Sequence, residues 1–393
     1  MSSGAERPLR VLHVIASMSP RHGGPTDAIV RIDPYLRGQG VEPLVASTRD
    51  DVETQLEVPE GLETDFLGMR GVFFQNRFQR PRRLRDFGCA PGLFRWLRDH
   101  VRRFDVVHVH ALFSMATWRA MAIAHGAGIP YVVRPLGVLG RWPLRQGGWY
   151  KRLFLRLFER RWVDRAAAIE YNSDIELHEA ACLGLKAPAK VIPLGFEPVA
   201  PVADAKILFC RQHGLDPGRL LVLFLSRIDP KKGIERLLEA CAHFPQGSFH
   251  LVIAGAGQPN YERHVRSRLN ELGLAAKTVW AGFLQGGAKE LAMRAADVFV
   301  LPSYSESFGI AVAEAMSAGC TVITTPEVPL SSLVVEQKAG WVTHDLDAAL
   351  AEALQSPPHR THASATSALT YASVAPLLAD LYRSVSRRAQ RPL

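Results

Sequence analysis

Short apolar runs rich in β-branched residues alternate with longer stretches in which apolar positions recur every three or four residues, through most of the 393-residue chain. The short runs read as buried strands and the longer stretches as amphipathic helices, so the pattern predicts parallel sheets flanked by helices. In the first half, strands are expected at residues 10–15, 43–46, 106–110, 131–134 and 168–171, and helices at 26–36, 93–102, 149–165 and 173–183. Pro34 falls inside the first helix, which should kink or end early there. Residues 190–201, Lys-Val-Ile-Pro-Leu-Gly-Phe-Glu-Pro-Val-Ala-Pro, interrupt the pattern as an extended linker. The alternation then restarts, with strands expected at 220–225, 249–254, 278–281, 298–301 and 321–324. Helices are expected at 234–242, 260–272, 288–295, 309–318 and 346–354, and a last one at 368–387.

This predicts an α/β protein of two Rossmann-like, doubly wound domains with a cleft between them. The domains are placed at residues 1–197 and 198–367, with residues 368–393 as a C-terminal helix and basic tail packing back on the first domain. A chain of this length is too long for one ordinary core. Composition adds little except exclusions: 47% apolar and 22% charged residues suit a folded globular protein, not a disordered one. No run reaches the roughly 18 consecutive apolar residues of a membrane span, and the apolar run at residues 11–17 reads as a strand and not as a leader. Five scattered cysteines, none in Cys-x-x-Cys spacing, suggest reduced thiols in the cytoplasm, without disulfides or zinc.

Charge changes the picture more. Residues 70–103 hold ten Arg against two Asp, and residues 141–165 hold eight Lys or Arg against two acids; together these exceed the total of +9, so the remainder is mildly acidic. Within 141–165, Leu153, Phe154, Leu157, Phe158 and Trp162 recur at helical spacing beside the cations. That stripe is either core or a face for an anionic lipid surface.

The candidate chemistry lies at strand ends, where ligands bind in open α/β sheets. Residues 296–319 run from a buried strand through Ser303-Tyr304-Ser305-Glu306 into Ser307-Phe308-Gly309 and a small-residue helix carrying Glu314. Backbone amides at such a helix start suit phosphate. Eight residues separate the two glutamates, about 12 Å on a helix. This exceeds the roughly 5–9.5 Å of a glycosidase carboxylate pair and suits hydroxyls at two ends of a long ligand. After the strand at 220–225, Arg227 supplies a bidentate fork and Lys232 a point charge, a pair fit for a diphosphate. The Gly255-Ala256-Gly257 turn and the Gly23-Gly24 pair are weaker signals, because many βα turns carry glycine for geometry alone. His108 and His110 share one strand face, and His110 is nearer the strand end where ligands sit.

Assembled, these segments resemble glycosyltransferase family 4, the retaining GT-B enzymes. The resemblance is closest over residues 220–325, where Ser226-Arg227-Ile228, Lys232-Gly233, Ala254-Gly255-x-Gly257, Ala281-Gly282-Phe283 and Glu306-x7-Glu314 follow the family's order, and it extends more weakly through the first half. The resemblance implies that Glu306 holds donor-sugar hydroxyls, Glu314 the ribose, and Arg227 and Lys232 the diphosphate. It assigns the sugar and distal phosphate to the amides of Ser307, Phe308 and Gly309, the nucleobase to Gly282, Phe283 and Leu284, and the reacting sugar to His110. No metal and no cofactor are expected, the nucleotide-diphosphate sugar being a substrate; GDP-mannose and a UDP-hexose both fit. Where many relatives have a histidine after the strand at 131–134, this chain reads Arg134-Pro135-Leu136-Gly137, so Arg134 is either an anion ligand on the acceptor side or a structural cation. The expected acceptor is a lipid-linked saccharide at an anionic membrane surface, in polysaccharide or glycolipid synthesis. Two other readings are a nucleotide-sugar 2-epimerase of the same fold and, from the basic stretches, a nucleic-acid-binding protein. The Arg-x4-Lys and Glu-x7-Glu pairs favour the transferase over the first. No nucleic-acid-recognition motif accompanies the charge, so nucleic acid is not expected as a partner.

Overall fold

The alternation resolves into two parallel sheets, each in its own unit. The computed structural model describes residues 7–20, 24–51, 54–80, 85–146, 148–245, 247–355 and 363–389. One unit comprises Met1–Gly195 with Tyr371–Leu393, the other Phe196–Thr370.

The first unit's strands are β1 (Leu9–Ser17), β2 (Val41–Thr48), β3 (Thr64–Phe66), β4 (Met69–Phe74), β5 (Val106–His110), β6 (Tyr131–Arg134), β7 (Ala168–Tyr171) and β8 (Ala189–Val191). They are ordered β3-β4-β2-β1-β5-β6-β7-β8, parallel except for the β3–β4 hairpin. Helices cover both faces, so the central strands are apolar on both sides and read as continuous runs. Leu12, Val107, Val133 and Ile169 pack under the helices Pro91–His100 and Met115–Gly126. Val11, Val106, Val132 and Ala168 face Gly24–Gly38 and the C-terminal helix Tyr371–Ala389.

The second unit orders β9 (Leu220–Leu225), β10 (Phe249–Ala254), β11 (Thr278–Gly282), β12 (Val298–Leu301), β13 (Thr321–Thr324) and β14 (Gly340–Val342) as β11-β10-β9-β12-β13-β14, with every pair parallel. In each sheet the chain changes direction once, between β1 and β5 in the first and between β9 and β12 in the second. Those switch points are where doubly wound folds open a crevice for ligands.

Two helices differ in detail from expectation. The helix Gly24–Gly38 runs through Pro34 without ending. Pro34 sits on its exposed side, where the carbonyl freed by the missing N–H can take water. The helix expected over 149–165 is continuous over 148–163 and contains a π-helical turn at Leu155–Glu159. That turn leaves Leu155, Glu159 and Val163 inside and Leu153, Leu157 and Phe158 exposed, so most of the expected apolar stripe is not core.

Candidate active site

In the second unit two loops meet beyond the ends of β9 and β12. Gly233 makes the contact possible: its φ is +67°, and a Cβ there would stand 2.1 Å from the Pro302 carbonyl oxygen. The Tyr304 N–H donates to the Lys231 carbonyl at 2.8 Å and locks the loops together. Lys232 Nζ is thereby brought onto Glu306 Oε1, which also accepts from Ser303 Oγ at 3.1 Å. Both side chains are buried, at 11% and 8% exposure. Burial alone would raise the Glu306 carboxyl, but Lys232, with Lys231 and Ser303, outweighs it and holds the group below the ordinary carboxylate range. Arg227 lies on the same loop with an exposed side chain and no ion pair among the described residues.

Glu314 lies on the helix Ile310–Ala318 and takes Lys289 Nζ at 2.5 Å from the helix Gly286–Ala295. Lys289 had no sequence signal, since 25 residues and a strand separate it from its partner. Gly309 caps the Glu314 helix at φ +91°, with no side chain satisfying its first amides. Ser307 is half-buried beside it and Phe308 is buried. The Gly255 N–H donates to the Gly282 carbonyl at 2.7 Å; beyond it Phe283 is exposed and Leu284 half-buried. Gly255 and Gly257 have a packing reason: a Cβ at either would lie within 2.0 Å of a carbonyl oxygen, Ser226 for the first and Ile228 for the second.

The first unit assembles a buried polar layer on the sheet face covered by the C-terminal helix. Strand register aligns His13 with His108 and His110 with Arg134. His13 Nδ1 stands 2.9 Å from His110 Nε2. His108 Nδ1 is 2.7 Å from the Tyr382 hydroxyl and His108 Nε2 is 3.2 Å from Glu170 Oε2, while Arg134 pairs with Glu170 Oε1. Burial, then the Arg134 charge, pushes His13 down to about 3. His108 and His110 are depressed by burial and by neighbouring cationic groups, so all three rings are neutral. One ligand atom from each of the three histidines falls within a 4.8 Å span. The guanidinium of Arg134, pushed down to about 10 by burial, is engaged by Glu170 inside the unit. His13, Glu170 and Tyr382 were not foreseen; for His13 the strand alternation that singled out His110 was available.

A cavity of about 310 Å³ opens at the β1/β5 switch point, lined by Ser17, Asp50, Asp51, Arg85, Asp86 and Ala111 among others. Asp50 is raised by burial, an effect partly offset by hydrogen bonds from Asn76 and Thr48. Gly24 opens the helix beside this cavity's Pro25; Gly23 lies outside the described residues.

Two doubly wound units, each with a switch point, are the architecture of the GT-B glycosyltransferases. Residues 23–195 match the family described as glycosyl transferase 4-like domain, and residues 207–364 match glycosyl transferases group 1. The chain belongs to the group 1, family 4-like glycosyltransferases and is a hexosyltransferase. A D-inositol 3-phosphate glycosyltransferase of Jonesia denitrificans is 25% identical over 82% of this chain and 80% of that protein. A GDP-mannose:cellobiosyl-diphosphopolyprenol alpha-mannosyltransferase of Xanthomonas campestris is 26% identical over 88% and 87%. An uncharacterized glycosyltransferase of Methanocaldococcus jannaschii is 33% identical, but over 35% of this chain and only 36% of its own length. Among solved structures, sucrose-phosphate synthase of Thermosynechococcus elongatus superposes with a TM-score of 0.80 at 21% identity, covering 97% of this chain and 100% of that one. Anabaena HepE, solved with UDP and glucose, gives 0.69 at 20% identity, covering 97% and 98%.

Proposed function

We propose that the protein moves a hexose, with retention of anomeric configuration and without a metal ion, from a nucleotide-diphosphate sugar to a lipid-linked saccharide in polysaccharide or glycolipid synthesis. The observation that carries the donor half is the buried Lys232–Glu306 pair beside the exposed Arg227 at the β9/β12 switch point. Arg227 and Lys232 meet the diphosphate and stabilise the charge that develops as it departs. Glu306, kept ionised by its cations, accepts hydroxyl hydrogen bonds from the donor sugar. Glu314 takes the ribose, the amides of residues 307–309 the sugar and distal phosphate, residues 282–284 the base, and His110 the reacting sugar. Two cations, one buried and one exposed, and a helix start supply the positive charge that a divalent ion supplies in other transferases.

GDP-mannose and UDP-hexoses remain the two donor classes; the Xanthomonas relative is named for the first, and HepE was solved with UDP. The same Xanthomonas name carries a diphosphopolyprenol acceptor. An acceptor at a membrane also agrees with the exposed Leu153, Leu157 and Phe158 set among Arg152, Arg156 and Arg161. The basic cluster Arg82 and Arg83 lies outside the described residues, while Arg85 is only 12% exposed and stands 3.7 Å from Asp86.

Thermal-shift titration with GDP and UDP tests the donor assignment, because a ligand that binds only the native state raises the melting temperature. One of the two is expected to stabilise the protein, and transfer is expected to survive EDTA. Activity abolished by EDTA and restored by magnesium overturns the metal-free mechanism.

A further inference from the structure

We infer that His13 fixes His110 in the neutral form that carries its proton on Nδ1, so that His110 offers a substrate oxygen a hydrogen-bond donor and no base. That His110 meets substrate rests on the function proposed above; the hydrogen-bond assignment does not.

The argument is one of proton counting. A single proton lies between His13 Nδ1 and His110 Nε2, 2.9 Å apart, and both rings are buried, at 1% exposure each. A neutral imidazole has one N–H and one bare nitrogen. If His110 donates, the proton of His13 must sit on its Nε2, which is buried without a partner. Orphaned buried N–H groups are rare and costly, and under-satisfied acceptors are less so. If His13 donates, its Nε2 is a bare lone pair in the positive field of Arg134, whose own Nε–H is also buried and unpartnered. The second arrangement leaves an acceptor near a cation; the first leaves a donor there. His13 therefore donates, His110 Nε2 accepts, and the proton of His110 is on Nδ1.

The other groups facing this pair keep it so. His108 lies against His110 with ring centroids 4.0 Å apart and the rings tilted by 32°. Its Nδ1 shares a hydrogen bond with the Tyr382 hydroxyl, and its Nε2 stands 3.2 Å from Glu170 Oε2. Glu170 is held in turn by Arg134. His13 is thus a positioning residue, and Tyr382 brings the C-terminal helix into the same network.

Long-range ¹H–¹⁵N spectra of the full-length protein labelled at histidine read the tautomers directly, with His110 assigned by loss of its signals in His110→Gln. The expected pattern is a protonated Nδ1 and a bare Nε2 on both His13 and His110, unchanged from about pH 5 to 8, the range where an ordinary histidine titrates. A protonated Nε2 on His110, titration within that range, or a stoichiometric metal ion on the three histidines overturns the inference. Kinetics supply the second arm, read as nucleotide-diphosphate release from UDP-glucose and GDP-mannose. An asparagine amide places an N–H near the imidazole Nδ1–H, so His13→Asn should keep most of kcat, whereas His13→Leu should lower it about tenfold or more with KM for the donor unchanged. Equal losses in the two variants overturn the positioning role. If the tautomers are as stated but His110→Gln turns over as fast as wild type, the inference stands and the role proposed for His110 at the sugar falls.

Discussion

A buried charge is only as stable as its partner, and this separates residues that look alike in the sequence. Arg227 and Lys232 sit five positions apart on one loop, yet only Lys232 is enclosed with a carboxylate. Lys232→Met should leave Glu306 buried and unpaired and destabilise the unit by about 3–5 kcal/mol in urea unfolding, the usual cost of removing one member of a buried pair. Arg227→Ala removes an exposed side chain, so stability should stay within about 0.5 kcal/mol while kcat falls steeply, because its hold on the diphosphate strengthens as further negative charge develops on the departing group. A stability loss in Arg227→Ala matching that of Lys232→Met would mean both are structural. Glu159 carries a prediction of a different kind. Burial raises its carboxyl to about 8, although its two oxygens share the Phe113 N–H, at 2.8 and 3.0 Å, and it accepts from the Ser114 backbone. Its folded value lies above its unfolded value, so the native state holds the extra proton, and stability falls as pH rises from about 4.5 to about 8. The buried histidines, depressed when folded, act oppositely: they lose stability as pH falls below about 6.5. Above about pH 6.5 the histidine contribution fades while that of Glu159 continues to about pH 8. Melting temperature should therefore decline more steeply across that interval in wild type than in Glu159→Gln.

The glycines show how elements meet. Gly233→Ala puts a methyl 2.1 Å from the Pro302 oxygen at a φ of +67°, so the loops after β9 and β12 must separate and the Lys232–Glu306 contact must break. Stability and nucleotide affinity should fall together. Gly24 has nothing within 4 Å of an added Cβ and no left-handed φ, so Gly24→Ala should leave melting unchanged. A loss of nucleotide-sugar affinity in that variant without a melting change would mark Gly24 as a ligand contact; unchanged affinity assigns the pair a turn role. Which elements were readable in the sequence follows from burial. Strands such as β5, β6, β9, β10 and β12 are enclosed on both faces and spell themselves as apolar runs. Edge strands β3, β8 and β14 span three residues each, and β8 is exposed throughout, so no apolar run marks them. The helix Met115–Gly126 was missed because its small and apolar residues surround it with little polar contrast. For the site, the loops after β9 and β12 were legible because cations and carboxylates cluster there in sequence. Lys289–Glu314 and Tyr382–His108 were not, since the partners are 25 and 274 positions apart and only the folded sheet brings them together.

At the scale of the molecule, the basicity concentrated in the first half finds a physical setting in the segment from Gly148 to Val163. Its π-helical turn shifts the register so that Leu155, Glu159 and Val163 point inward. Leu153, Leu157 and Phe158 are left 42%, 59% and 43% exposed among the outward cations Arg152, Arg156 and Arg161. Apolar side chains ringed by arginine suit the boundary between anionic headgroups and acyl chains, where each cation contributes about 1 kcal/mol and each buried apolar side chain adds to it. Among the described residues no helix is long and apolar enough to cross a membrane. Three arginines at that value amount to about two decades in binding, and the electrostatic part should weaken as salt screens it. Wild-type protein is expected to sediment with vesicles containing phosphatidylglycerol and to be released by salt. Arg152→Glu with Arg156→Glu should reduce that binding, and Leu157→Asp with Phe158→Asp should abolish it, both with unchanged nucleotide-induced thermal shifts. Wild-type protein that stays in the supernatant at low salt, and glycosylates a detergent-free soluble glycoside as fast as a lipid-linked one, removes the membrane from the function.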